Sequence, residues 1–144
     1  MDGVDEAWGG FSVRMDEKWR IFVPSAGRHA LAGGAVMSRG KDRCVFIFSR
    51  PQFDSYRQKV RSINPENIPA TAFDRLLYSS VVKQQLDKQG RLTIPEGLRK
   101  YASLERDVTV VGLEDRLELW DSAKWEAYQD RFIDDFAEST QGVR

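Results

Sequence analysis

This 144-residue chain has one cysteine, one histidine, five prolines and no net charge at pH 7. Each scarcity removes a class of protein. Cys44 has no second cysteine to bond, so a disulfide-stapled secreted module is excluded and a reducing, cytoplasmic setting is expected. Cys44 and His29 do not make a metal-ligand cluster, and there is no glycine-rich phosphate loop, so the expectation is no metal and no cofactor. No apolar run approaches the ~20 residues of a membrane-spanning helix. The opening stretch, residues 1–10, is acidic and lacks the basic and apolar segments of a secretory signal. Ser25 and His29 stand four apart on a helical stretch, but nothing marks an oxyanion site or the rest of a triad. The chain is therefore expected to be no enzyme, with no small-molecule substrate and no membrane partner.

What is present is a marked ordering of charge. Residues 1–16 sum to −3, residues 17–64 to +7, residues 65–103 to +2 and residues 104–144 to −6. A basic middle between acidic ends can form a local positive face although the total is zero. Charge alone does not decide this, because folding can interleave the two signs into an ordinary solvated surface.

The chain also repeats itself. Asp16–Pro24, DEKWRIFVP, has the layout of Asp87–Pro95, DKQGRLTIP: Asp, three residues, Arg, an apolar-alternating run, then Pro, 71 positions apart. The match continues through Arg28 and Arg99, through Val45–Phe48 against Leu117–Trp120, and through Phe53 and Tyr56 against Trp125 and Tyr128. Order, spacing and residue class agree over about 40 residues, the mark of an internal duplication.

Each copy predicts the same plan: strand, tight turn, strand, short helix, two strands, longer helix. In the second copy Pro95 opens the short helix, and Asp121 or Ser122 caps the long one. Residues 8–62 form the first unit and residues 80–140 the second, with a linker and a short helix over 63–79 capped by Thr71. A unit of ~60 residues is marginal alone. The expected fold is therefore α+β: the two copies pack about a pseudo-twofold axis into one small barrel-like β core with outer helices. Strand edges and apolar faces such as Val45–Phe48 are expected to be left uncovered in a monomer, favouring head-to-tail assembly.

The repeated hairpin carries the candidate chemistry. Asp16 and Arg20, like Asp87 and Arg91, fall on either side of a tight turn and can pair across it. One such pair is an ordinary surface salt bridge, worth ~1 kcal/mol or less. Two equivalent pairs point to function, because turn stability does not require the same Asp and Arg twice. A guanidinium held in place can contact two phosphate oxygens, or guanine O6 and N7. Lys18 and Lys88 at the turn tips would add phosphate contacts.

These motifs, with RKYA, VTVVGL, LELWD and WEAY in the second half, closely resemble the MraZ family, transcriptional regulators of the bacterial division and cell-wall gene cluster. In the first half Gly10 and Trp8 take up the family's spacing before Asp16, so the resemblance runs from about residue 8 to about residue 136. It implies tandem swapped-hairpin units of the AbrB/SpoVT type. It implies double-stranded DNA as partner, bound at promoter direct repeats by subunits joined in a closed homo-oligomeric ring, in cytoplasm and nucleoid. Carried over residue by residue, the DNA-facing positions are Asp16, Lys18, Arg20, Asp87, Lys88 and Arg91, with Arg28 and Arg99 added from the repeat alone. Trp19 departs from the family, which has glycine there as the second copy has Gly90. Glycine serves a positive φ that costs tryptophan strain, so the first turn is expected to differ, with three outcomes open: Arg20 re-aimed, the first site degraded, or the indole itself stacking on a sugar or base or packing against a neighbouring subunit. Two alternatives stand beside this reading: a swapped-hairpin antitoxin-like DNA-binding protein, and an interaction module that kept the fold without DNA.

Overall fold

Val45–Phe48 alternates between two buried faces. Val45 and Ile47 pack into one hydrophobic core, while Phe46 and Phe48, with Cys44 just before them, pack into another. A strand buried on both sides must lie inside a covered sheet. A computed structural model, which describes residues 9–139, places it there. Trp8 and the acidic residues 1–7 lie outside the described residues.

The first copy comprises β1 (Gly9–Arg14), β2 (Arg20–Phe22), α1 (Ser25–Ala30), β3 (Ala35–Arg39), β4 (Val45–Ser49) and α2 (Arg50–Arg61). After α3 (Ala70–Tyr78) the second copy repeats this order as β5 (Val82–Gln84), β6 (Arg91–Thr93), α4 (Glu96–Ala102), β7 (Asp107–Gly112), β8 (Leu117–Asp121) and α5 (Ser122–Ser139). Six strands form one antiparallel sheet in the order β1-β7-β8-β4-β3-β5, and β2 and β6 form a separate two-stranded ribbon. The six-strand order reads the same when the copies are exchanged, β1 for β5, β3 for β7 and β4 for β8. Each copy lends its first strand to the other: β1 lies on β7, with Phe11 opposite Val110, and β5 lies on β3, with Lys83 opposite Val36.

The interleaving follows from burial. One core joins Met15, Ile21, Leu92, Ile94, Leu98 and Leu119, drawn from both copies, between the sheet and the ribbon with its short helices. The other core is aromatic: Phe46, Phe48 and Trp120 meet Phe53 and Tyr56 of α2 and Trp125 and Tyr128 of α5. Within it, Glu118 accepts from the Arg116 guanidinium at 2.9 Å and from the Trp120 indole N–H at 3.1 Å. A carboxylate this buried is tolerable because it is paired and hydrogen-bonded. Gly40 admits this core, since a Cβ there would run into the Phe46 ring.

The helix ends follow local chemistry. Ser49 and Gln52 form a reciprocal capping box at the start of α2, a Ser-x-x-Gln signature readable in the sequence. Asp121 caps α5 by accepting from the Lys124 N–H at 3.2 Å. Pro95 stands just before α4, at its cap.

Two expectations are corrected. Thr71 does not cap the linker helix; α3 begins at Ala70 behind Pro69, which presets an extended backbone, and no side chain caps it. Val45–Phe48 is not an uncovered face: all four residues are buried within the monomer, because β8 and β3 flank β4 and the two aromatic helices cover it. The protein is an α+β chain of two tandem units around an antiparallel sheet. Among the described residues no helix is long and apolar enough to cross a membrane.

Candidate nucleic-acid interface

Each hairpin is organised by its aspartate. Asp16 Oδ1 accepts from the backbone N–H of Lys18 and of Arg20, both at 2.9 Å, and Oδ2 accepts from Arg20 Nε at 2.7 Å. Asp87 does the same: its Oδ1 accepts from the N–H of Gln89 and Arg91 at 2.9 Å, and its Oδ2 from Arg91 Nε at 2.8 Å. The backbone bonds also match, with Trp19 N–H to Asp16 O at 3.0 Å and Gly90 N–H to Asp87 O at 3.0 Å. An aspartate before a tight turn can accept bonds from the turn's own amides, which accounts for its place in both copies. Partial desolvation pushes both carboxyls up. Bonds from the arginine backbone and side chain, and from the further turn amide, outweigh it and hold Asp16 and Asp87 below the ordinary value of 3.8.

The first turn does not differ from the second. Trp19 takes φ 60° where Gly90 takes φ 78°, and the full set of hairpin bonds is kept. Tertiary contacts hold the tryptophan in this conformation. Its ring packs on the main core, with the Arg106 guanidinium carbon 3.5 Å and the Arg99 guanidinium carbon 4.3 Å from the ring centre. Arg106 also donates to the Asp16 carbonyl. Arg20 is therefore aimed as Arg91 is. In the second copy the space beside the turn is filled differently: Arg28 lies against Gly90, where a Cβ would collide with it. Arg28 and Arg99 each donate through Nε to the carbonyl of the residue that follows the strand before their own helix, Val23 O and Ile94 O, both at 2.9 Å. They buttress the opposite hairpin.

The ribbon brings the two hairpins together. Arg20 pairs with Thr93, Ile21 with Leu92 and Phe22 with Arg91. Alternation turns Ile21 and Leu92 into the core and leaves Arg20, Arg91, Phe22 and Thr93 on the outward face. Arg91 Nη1 also lies 3.7 Å from Asp16 Oδ2, so the two hairpins share an electrostatic contact. With each Nε tied to its aspartate, Arg20 and Arg91 keep terminal nitrogens for a planar, bidentate acceptor. Lys18 and Lys88 are exposed at the turn tips, but at different offsets, two residues after Asp16 and one after Asp87.

All six predicted residues thus fall on or beside one ribbon. Sequence reasoning missed Phe22, which Arg-x-Phe alternation would have placed on the arginine face. It also missed Arg106, whose contact with the turn spans 90 residues and has no local signal.

Fold and site define a duplicated α+β unit whose two aspartate-braced hairpins meet in a single exposed ribbon. The chain belongs to the MraZ family: a family model described as "MraZ protein, putative antitoxin-like" matches residues 7–76 and again residues 77–142. Proteins named "Transcriptional regulator MraZ" from Salinispora arenicola and Salinispora tropica are 39% and 38% identical over 135 residues, covering 94% of this chain and 95% of each relative. One of the same name from Micrococcus luteus is 38% identical over 135 residues, 94% of both chains.

Proposed function

We propose that this chain is a sequence-specific, DNA-binding transcriptional regulator acting in the cytoplasm at the nucleoid, by binding rather than catalysis. The observation that carries this reading is the shared outward face of Arg20 and Arg91, each oriented by its own aspartate. A two-stranded ribbon fits the major groove, where a guanidinium fork can meet guanine O6 and N7. Lys18 and Lys88 take the flanking phosphates. The interleaved sheet supports the finer fold reading of two swapped-hairpin units, residues 8–62 and 80–140, around a barrel-like centre.

The binding site is short direct repeats upstream of the division and cell-wall gene cluster, and the subunits form a closed ring. Exposed Phe132, Ile133 and Phe136 on α5 support assembly. An interaction module without DNA is the less favoured reading: its supports in the sequence are zero net charge and Trp19, and Trp19 leaves the first hairpin's bonds intact.

Duplexes carrying the repeats upstream of the chain's own gene, titrated at several salt concentrations, test this. Arg91→Ala should lose ~1–3 kcal/mol of discrimination for the repeats. Lys88→Ala should weaken all DNA evenly and flatten the salt dependence. Circular dichroism should find both variants folded. An Arg91→Ala protein that binds the repeats as tightly as the parent would overturn the reading.

A further inference from the structure

Phe22 is an apolar side chain in a polar setting. It is 57% exposed, yet it stands on the ribbon between the two aspartate-braced arginines, directly across from Arg91. The Arg91 guanidinium carbon lies 5.8 Å from the centre of its ring. The same position in the second copy is Thr93, across from Arg20. The Thr93 backbone is engaged on both sides by Gln84, whose Oε1 accepts from its N–H at 2.7 Å and whose amide donates to its carbonyl at 3.1 Å. The position matching Gln84 in the first copy is Val13, which has no such groups. The ribbon is thus twofold in its backbone and its arginines but asymmetric in what stands beside each arginine.

We infer that Phe22 is a specificity-determining residue of the DNA face: its ring takes the 5-methyl group of a thymine next to the base pair read by Arg91. This rests on the DNA-binding reading above. In the major groove the thymine methyl is the one apolar group that base pairs present, and a phenyl ring is a suitable partner for it. Successive base pairs rise by ~3.4 Å, so a ring a few ångströms from the guanidinium reaches the neighbouring step. Thr93 offers a smaller contact beside Arg20. The two arms therefore read different bases, and the preferred sequence is not palindromic.

The test uses a duplex selected by the parent protein from a random pool, with each thymine of the bound site replaced in turn by uracil, which lacks only the methyl. The parent should show a position at which uracil weakens binding roughly fourfold per site. Phe22→Ala should bind the thymine and uracil duplexes alike at that position, keep its preference for the neighbouring guanine, and melt as the parent does. Thr93→Phe should create a second uracil-sensitive position on the other arm. Parent binding to the selected duplex establishes the DNA-binding reading by itself, so the Phe22 result is judged separately. The inference is overturned if Phe22→Ala remains as sensitive to uracil as the parent, or if no thymine methyl matters to the parent.

Discussion

The Arg99 guanidinium carbon lies 4.3 Å from the centre of the Trp19 ring, and the two residues come from opposite copies of the repeat. Their counterparts, Arg28 and Gly90, meet in the same way, with the arginine side chain against a bare Cα. Each hairpin is therefore braced by the other copy's helix. One brace has an aromatic ring to rest on, and the other fills the space a side chain would need.

Trp19→Gly relieves an unfavourable φ but removes a half-buried ring and its two guanidinium contacts. The losses exceed the gain, and the variant should be less stable by about 1–2 kcal/mol in urea unfolding. Its DNA affinity should stay within about threefold of the parent, because the hairpin bonds come from Asp16 and the backbone. A more stable variant would mean that the ring contacts do not offset the strain.

Gly90→Ala meets both a positive φ and the Arg28 side chain. It should cost about 1–3 kcal/mol. Adding Arg28→Ala should recover part of this loss, so that the double variant is more stable than the sum of the single effects predicts. Strict additivity would show that Arg28 does not crowd this turn.

Asp16 and Asp87 titrate below 3.8 in the folded protein. Their stabilising contribution is therefore fully present above the unfolded value and is lost only as pH falls through the lowered folded value. Carboxyl NMR titration should give midpoints under 3.8 for both. The hairpin amides of Arg20 and Arg91 should keep constant shifts from neutral pH down to about pH 5. A midpoint at or above 3.8 for either residue would contradict the bracing geometry.

Phe136 is 63% exposed and Ile133 54%, near the end of an acidic helix. If this face holds neighbouring subunits, light scattering should find the parent far above 16.5 kDa. Ile133→Asp with Phe136→Asp should reduce it toward that mass with unchanged circular dichroism. A monomeric parent would dismiss the ring.

The duplication, the order of elements in each copy and the pairing of Asp16 with Arg20 and of Asp87 with Arg91 could all be read from the chain. They depend on periodicity and on bonds made within five residues, and those are local properties. A cap at Asp121 or Ser122 was legible for the same reason, the structure choosing Asp121, and the Ser49–Gln52 box would have been. Thr71 misled because a capping residue in the sequence does not reveal where the backbone turns helical, and Pro69 set that point. Only the tertiary structure decided that β2 and β6 pair with each other, which puts Arg20, Arg91 and Phe22 on one face across 71 positions of chain. It also decided that Val45–Phe48 is interior and that Trp19 can hold a left-handed backbone. Both outcomes rest on burial shared between the copies. Local sequence states what a turn prefers, while the packing energy of two interleaved units determines which preferences are kept.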